Sequence, residues 1–557
     1  MPNPDIIGRV TATESKPTST TELRFWVSDE TILRPFDVVK IPHISKTKGA
    51  TSETYAIVQE LEHITDAQGY LSGVVSCDFG DVNATPRNFR LGTTVATAEV
   101  LCNSEDVEMP VRDGQPVMWA DSDGVAKALG LVGIKQPLPA GYFSMSNDVE
   151  IPIQFEGDFV VGPEGAHVNI SGISGLATKT SYAMFLMSAL QQKRAEDVAM
   201  VIFNVKGADL LSIDQPNPEM TEADAAEWTK CELVAKPFQN VTYFYPYSKN
   251  EQKLCTQSRV SRQILQDQID KGIAHNYFYD IEGGKQKLEL LFADVDDPQS
   301  TMEQCAAKVG EMEVADWADL IEAVRKETES KAGRPMGKGA SAEIPVVSWR
   351  RFYRFLRQRT SNDIFDTVTS TKADLRRKKH TSDIVKHIRP GNVVVIDIQP
   401  LPDYLQCMVF GDVVRQILDA KLGDSDDISQ TEEIGRIVIF ADELNKYAPK
   451  KDGNERALTR TMLEITERGR SLGVVLFGAE QFRSGVHQRV LGNCSTNVLG
   501  RTNSVEISNS GDYKFLTPAQ RAALTRLPKG TLLLQHAAFS TSTIKARFPF
   551  PAYLQPK

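Results

Sequence analysis

An α/β fold with an all-β N-terminal part is predicted by three features of the sequence. From residue 159 onward, short continuous apolar runs alternate with longer helical stretches; before residue 105, short β-like runs are cut by turn residues; and at 166–187 a strand-like run passes through a glycine-containing loop into a helix. Continuous rather than alternating apolar runs mark strands covered on both faces, as in a parallel sheet flanked by helices.

The elements follow in chain order. In residues 1–105 the runs "DIIGRVTAT", "ELRFWVSD", "FDVVKIPHI", "TYAIVQELEHIT", "LSGVVSCDF" and "TTVATAEVLC", with Gly, Asp, Pro and Ser between them, predict a small β-barrel. Residues 106–158, rich in Pro, Gly and Asp, read as a connector. A first core segment, 159–249, supplies strands at "AHVNIS" (166–171), "AMVIFNV" (199–205) and "VTYFYPY" (241–247). Residues 250–390 are mostly helical and charged and read as an insertion, with a loose tip at 327–345. The second core segment, 391–557, supplies "NVVVIDI" (392–398), "RIVIFAD" (436–442) and "GVVLFGA" (473–479), carries an acidic loop at 422–433, and ends in two β-like runs, "GTLLLQHAAF" and "STIKARFPFP". There is no internal repeat.

Composition narrows the class. At 557 residues and 41% hydrophobic content, the chain exceeds one ordinary domain and can bury a sizeable core. Its seven cysteines are odd in number and scattered, with no CxxC or Cys/His cluster, which argues against a disulfide framework and against structural zinc. No basic segment followed by an apolar core opens the sequence, and no apolar run approaches the roughly 20 residues that cross a bilayer. A soluble cytoplasmic protein without a membrane role is expected. The net charge of −10 argues against basic surface over the whole chain. Charge is nevertheless segregated: residues 349–380 hold ten Lys or Arg against three Asp.

Four stretches form a candidate nucleotide site. In "NISGISGLATKTSYAMFLM" (169–187), the strand–loop–helix context makes a phosphate loop credible, because loop N–H groups and a helix N-terminus together hold anionic oxygens. Gly172 and Gly175 permit close backbone approach, Lys179 would neutralise β- and γ-phosphates, and Thr180 would ligate Mg²⁺. The competing account is an ordinary strand-to-helix turn. "RIVIFADELNKY" sets Asp442 and Glu443 at the C-terminal end of a buried strand, where ligands of open α/β sheets gather. There Asp442 would hold the metal and Glu443 would polarise the attacking water. A strand end followed by helix-capping acids is the alternative. Gln481, ending the strand in "RSLGVVLFGAEQFRS", offers an amide that can sense a γ-phosphate, or is a polar strand terminus. Arg501, in "CSTNVLGRTNSVE", is placed to reach a neighbouring subunit's nucleotide, or to make a surface ion pair.

These stretches, with the opening "IIGRV", "IVIFADELNKYAP", the run 467–503 and the closing "LPKGTLLLQHAAFSTSTIKARFPF", resemble the HerA-type ATPases of the HerA/FtsK group. The resemblance spans most of the chain outside 250–390 and is most specific at 436–503. It implies a RecA-like P-loop ATPase core with an N-terminal small β-barrel and a helical insertion, assembled as a homo-hexameric ring that moves double-stranded DNA using ATP and Mg²⁺. It further implies a partner subunit, such as a nuclease or Sir2-like effector, docked on the barrel, in anti-phage defence. By motif position, Gly172, Gly175, Thr178, Lys179 and Thr180 stand for the family's phosphate loop, Thr180 and Asp442 for its metal ligands, Glu443 for its catalytic acid, Gln481 for its sensor and Arg501 for its trans finger, with Arg468 and Arg470 in reserve. The loop departs from the family's Gly-x-x-Gly-x-Gly-Lys-Ser/Thr: it is one residue longer, and Thr178 stands where the last glycine is usual. That departure supports an alternative, a ring that binds nucleotide weakly or not at all and scaffolds effector subunits.

Two basic stretches bear on DNA. "WRRFYRFLRQR" (349–359) reads either as a basic-aromatic patch for phosphates or as a helix with its aromatic stripe turned inward. Lys446, Lys450 and Lys451, in "KYAPKKDGNE", lie in a loop that faces either a ring's lumen or solvent.

Overall fold

The computed structural model describes residues 6–67, 69–76, 81, 83, 91–173, 178–292, 295, 297, 300–329, 344–366, 377–423, 435–450 and 457–556. The chain divides into two compact units, one of residues 1–155 and 511–547, the other of 156–510 and 548–557. Strands are numbered along the chain.

In the first unit, β1 (Ile6–Val10), β2 (Glu22–Val27), β3 (Val38–Ile44), β4 (Thr51–Thr65), β5 (Gly92–Asn103) and β6 (Pro116–Trp119) close a barrel in the order β1-β2-β5-β4-β3-β6. Alternation along each strand sends Leu23, Phe25, Val39, Ile41, Ala56, Val58, Ala96, Ala98 and Val117 inward, where they are buried. Closure leaves no free strand edge. The barrel needs β6, which lies in the stretch expected to be a connector. The "LSGVVSCDF" run, expected as β, instead contributes to a helix, Tyr70–Ser76. The strands β7 (Pro137–Ser144) and β8 (Glu150–Glu156) belong with β18 (Thr531–His536) and β19 (Ile544–Arg547), in the order β18-β19-β7-β8. The two closing β-like runs are thus an antiparallel pair in the unit that holds the barrel.

Among the described residues, the second unit is built on nine strands: β9 (Val168–Ser171), β10 (Val198–Asn204), β11 (Val241–Pro246), β12 (Ala274–Phe278), β13 (Lys378–His380), β14 (Val393–Asp397), β15 (Arg436–Asp442), β16 (Val474–Glu480) and β17 (Thr496–Leu499). They run parallel in the order β13-β12-β11-β14-β10-β15-β16-β9-β17. Every residue of β10, β14 and β16 is buried, as their unbroken apolar runs require. The 250–390 stretch is not helical alone: β12 and β13 come from it and extend the same sheet.

Its helix Val346–Arg359 buries Trp349, Phe352 and Leu356 at three- and four-residue spacing, while Arg350, Arg354 and Arg357 are exposed. The aromatic stripe is therefore core, the second of the two readings of "WRRFYRFLRQR". Arg359 departs from the exposed face: it is buried against Phe292, Phe355 and Tyr404 and donates to the Leu291 carbonyl. Residues 548–556 lie along the helices Thr178–Arg194 and Glu222–Lys230. There Phe548 meets the Tyr182 ring edge-on at 5.1 Å, and Trp228 Nε1 donates to the Phe550 carbonyl at 2.8 Å. Among the described residues, no helix is long and apolar enough to cross a membrane.

Because Trp349 is fully buried and Arg354 is not, Trp349→Ala should destabilise the protein by about 3–5 kcal/mol. Arg354→Ala should stay within about 0.5 kcal/mol of wild type. Chemical denaturation of the two variants reads the difference.

Candidate functional site

Parallel strands bring their C-terminal ends to one rim, and the sheet order decides which ends are neighbours. In β17-β9-β16-β15-β10, the strand before the proposed phosphate loop is separated from the strand of the acid pair by β16 alone, two strand spacings or about 10 Å. The rim therefore collects Ser171 and Gly172, Glu480 and Gln481, Asp442 and Glu443, and Asn204 and Lys206.

The loop leaves β9 between two strand ends. Gly172 N donates to the Glu480 carbonyl at 3.2 Å, Ile173 N to the Arg501 carbonyl at 2.8 Å, and Gly500 N to the Ser171 carbonyl at 2.7 Å. A Cβ at Gly172 would stand 3.2 Å from Gly500 Cα and 3.3 Å from Arg501 O, so this crowded crossing favours glycine. Gly175 lies outside the described residues, as does Lys451. The helix Thr178–Arg194 then starts with Thr178 and Lys179 buried and Thr180 half-buried. Lys179 Nζ donates to the Gly172 carbonyl at 2.9 Å, folding the side chain back over the loop. Burial pushes its ammonium below the ordinary lysine value; Asp442 and Glu443 pull it back up, while Lys206 adds to the depression. The amine thus lies within the electrostatic field of both acids, although more than 260 residues separate them in sequence.

The acid pair ends β15. Asp442 is 5% exposed. Glu443 adopts a left-handed conformation, φ 59° and ψ 50°, which costs a non-glycine residue of order 1–3 kcal/mol. Its own N–H donates to Asp442 Oδ1 at 2.9 Å, so the strained turn anchors the Asp442 carboxylate. Gln481 Nε2 donates to Glu443 Oε1 at 3.1 Å, joining the ends of β15 and β16. Lys206, just beyond β10, donates to the same Glu443 oxygen and lies 3.6 Å from Asp442 Oδ2. Burial alone would raise the Glu443 carboxyl, yet the Lys206 hydrogen bond and charge, with Gln481 and Lys179, bring it below the usual value.

Sequence reasoning missed three groups here. Lys206 immediately follows "AMVIFNV", a strand-end position like that of Glu443, and only the adjacency of β10 and β15 shows its target. Glu480 precedes Gln481 and points to the opposite face of β16; it is fully buried and accepts from Asn169 Nδ2 at 2.9 Å, and Asn169 Oδ1 in turn accepts from Arg483 Nη1 at 2.8 Å. Burial pushes the Glu480 carboxyl up to about 8, against the lowering influence of Arg483, Asn169 and Lys179. Asp397 ends β14 in the pattern of Asp442, a signal present in "NVVVIDI". It accepts from Asn204 Nδ2 at 2.8 Å and Ser258 Oγ at 2.9 Å, and burial raises it to about 6.

Other candidates fall elsewhere. Arg501 has its backbone stitched to the loop and its side chain exposed. Arg468 and Arg470 sit in the last turns of the helix Ala457–Leu472, which feeds the N-terminal end of β16, the rim opposite the acids. Lys446 is held within the unit by Asp403 at 2.6 Å and Gln406 at 2.8 Å, whereas Lys450 is exposed.

The donor set fits a magnesium–triphosphate. Among the described residues, Ser171 Oγ and Glu480 Oε1 are buried polar atoms without hydrogen-bond partners at the strand ends beside the loop, Lys179 is a buried cation, and the acid pair offers hard oxygen ligands. Thr180 and Asp442 are the residues that would hold Mg²⁺. Magnesium held by one or two side-chain oxygens would take its remaining ligands from substrate oxygens and water.

No family model matches the chain, and no curated protein matches it. Among solved structures, it is similar to VirB4 of Thermoanaerobacter pseudethanolicus at 12% identity over 75% of this chain and 97% of that one, with a TM-score of 0.40. EssC (ATPases 2 and 3) from Geobacillus thermodenitrificans is 12% identical over 76% and 46% of the two chains, with a TM-score of 0.28. The genome packaging NTPase B204 from Sulfolobus turreted icosahedral virus 2, in complex with ATP-gammaS, is 15% identical over 31% and 72%, with a TM-score of 0.22. All three TM-scores lie below 0.5, and the site rests on its own geometry.

The Glu480 carboxyl gives a pH test. Its folded pKa of about 8 lies above the ordinary 4.5, so the folded protein keeps a proton that the unfolded chain releases. That contribution is complete below the ordinary value and is lost as pH rises through about 8. Across this window the melting temperature of wild type should fall relative to Glu480→Gln; parallel melting curves would contradict the buried neutral carboxyl.

Proposed function

We propose that the chain is an ATP hydrolase whose turnover drives movement along double-stranded DNA, working as a homo-hexameric ring of the HerA type. The observation that carries this reading is the convergence of Lys179, Asp442, Glu443 and Gln481 on one rim of a buried parallel sheet. In this reading Lys179 and the loop around Gly172 and Gly175 bind the phosphates, with Thr178 inside that loop. Magnesium, held by Thr180 and Asp442, would supply neutralising charge at the phosphates. Glu443 accepts the proton of the attacking water, and Gln481, already bonded to Glu443, orients both. Arg501, exposed next to the loop, is the group that reaches a neighbouring copy. The resemblance to HerA-type ATPases supports the further reading that an effector subunit, a nuclease or Sir2-like protein, docks on the barrel in cytoplasmic anti-phage defence.

Turnover with and without duplex DNA tests the motor. Glu443→Gln should lower kcat by about 10²–10⁴-fold while leaving nucleotide bound, as loss of a general base does. Lys179→Ala should lose nucleotide affinity, and Arg501→Ala should lose turnover while binding nucleotide normally. Equal turnover in wild type and all three variants would remove the reading.

Thr178, buried where the family's last glycine is usual, favours one other function: a ring that gathers effector subunits without hydrolysis. The double variant Lys179→Ala, Glu443→Gln separates the two. Assembly with protection of cells intact supports the scaffold; assembly with protection lost supports the motor.

A further inference from the structure

Two adjacent carboxylates at a largely buried rim need a counter-charge, because desolvated like charges raise each other's cost of ionisation. Here the counter-charge comes from the chain itself. Lys206 hydrogen-bonds Glu443 Oε1 and stands 3.6 Å from Asp442 Oδ2, so one ammonium serves both acids. The turn that carries it is fastened from behind: Asn204 Nδ2 donates both to Asp397 Oδ1 at 2.8 Å and to the Gly207 carbonyl at 3.1 Å, and Gly207 takes φ +56°. Asp397 is itself gripped by Ser258. The backbone of the turn is pinned while the lysine stem is not, since the Lys206 side chain is 48% exposed and the Asp442 side chain 8%. A rigid carboxylate pair thus faces a cation on a flexible four-carbon arm.

We propose that Lys206 is a positioning residue that acts as the resident counter-ion of Asp442 and Glu443, competing with a divalent cation for them and restraining Glu443 until that cation displaces it. The restraint acts through Glu443 and requires no contact between Lys206 and substrate. Gln481 keeps its own bond to Glu443 when Lys206 leaves, so release frees the carboxylate of its ion pair without freeing its orientation. The consequence for turnover rests on the hydrolase reading above; the competition for the cation does not.

The test measures binding of Mg²⁺ alone to the full-length protein, by calorimetry and by the shift in melting temperature, for wild type, Lys206→Met, Lys206→Arg and Asp442→Asn. Lys206→Met should bind Mg²⁺ at least about tenfold more tightly than wild type, the size of effect expected from removing one charge within about 4–6 Å. Lys206→Arg, which keeps the charge, should restore wild-type affinity, and Asp442→Asn should abolish the site. Asn204→Ala, which loosens the turn and keeps Lys206, should tighten Mg²⁺ binding by less than Lys206→Met does, and it carries the test if Lys206→Met does not fold. With ATP, Lys206→Met should raise kcat with KM little changed. Unchanged or weaker Mg²⁺ binding in the Lys206→Met protein would overturn the proposal, as would unchanged binding in Asn204→Ala, or a fall in kcat that Lys206→Arg repairs. A wild type that hydrolyses no ATP, combined with the tighter Mg²⁺ binding of Lys206→Met, would sink the hydrolase reading and leave the role of Lys206 standing.

Discussion

Two carboxylates on consecutive residues, Asp442 and Glu443, share one ammonium, that of Lys206, at the edge of a sheet buried on both faces. The rest of the rim depends on that balance. Burial alone would raise the Glu443 carboxyl toward protonation, and a protonated Glu443 could not serve as a base. With Lys206 in place, Glu443 stays below its usual pKa despite burial.

Strand order makes the balance possible. Lys206 follows β10 and the acids end β15, and these strands pair in parallel register. On the other side, β16 carries Gln481 to Glu443 and Glu480 to Asn169, while β9 delivers the loop and Lys179. Four strand ends therefore supply a cation, an acid pair, an amide and a loop, each from a separate stretch of chain. The left-handed turn at Glu443 stores local strain that the bonds from Lys206 and Gln481 help to hold.

Two further carboxyls, Glu480 and Asp397, are wholly buried and lifted to about 8 and about 6. Both stand at strand ends and both are held by an asparagine, Asn169 or Asn204, so the same solution to a buried acid occurs twice along one rim. Asn204 also fastens the turn bearing Lys206, which links β14 to the acid pair through β10.

Much of the second unit was legible in advance. Continuous apolar runs mark strands covered on both faces, and six of its nine parallel strands were readable on that ground, together with the strand-end positions of Asp442, Glu443 and Gln481. The inward stripe of Trp349, Phe352 and Leu356 was one of two readings that helical spacing allows. β12 and β13 were not readable, because in a charged, mostly helical stretch a strand of three to five residues carries no period of its own. β6, equally short, took its place in the barrel only through pairing with β1 and β3. The sequence by itself determined which residues are apolar enough to be strands and which polar residues end them. Tertiary structure alone decided which ends are neighbours, and hence that Lys206 meets Glu443 and that Glu480 is buried, because lateral strand order is set by long-range packing and leaves no local mark in the chain.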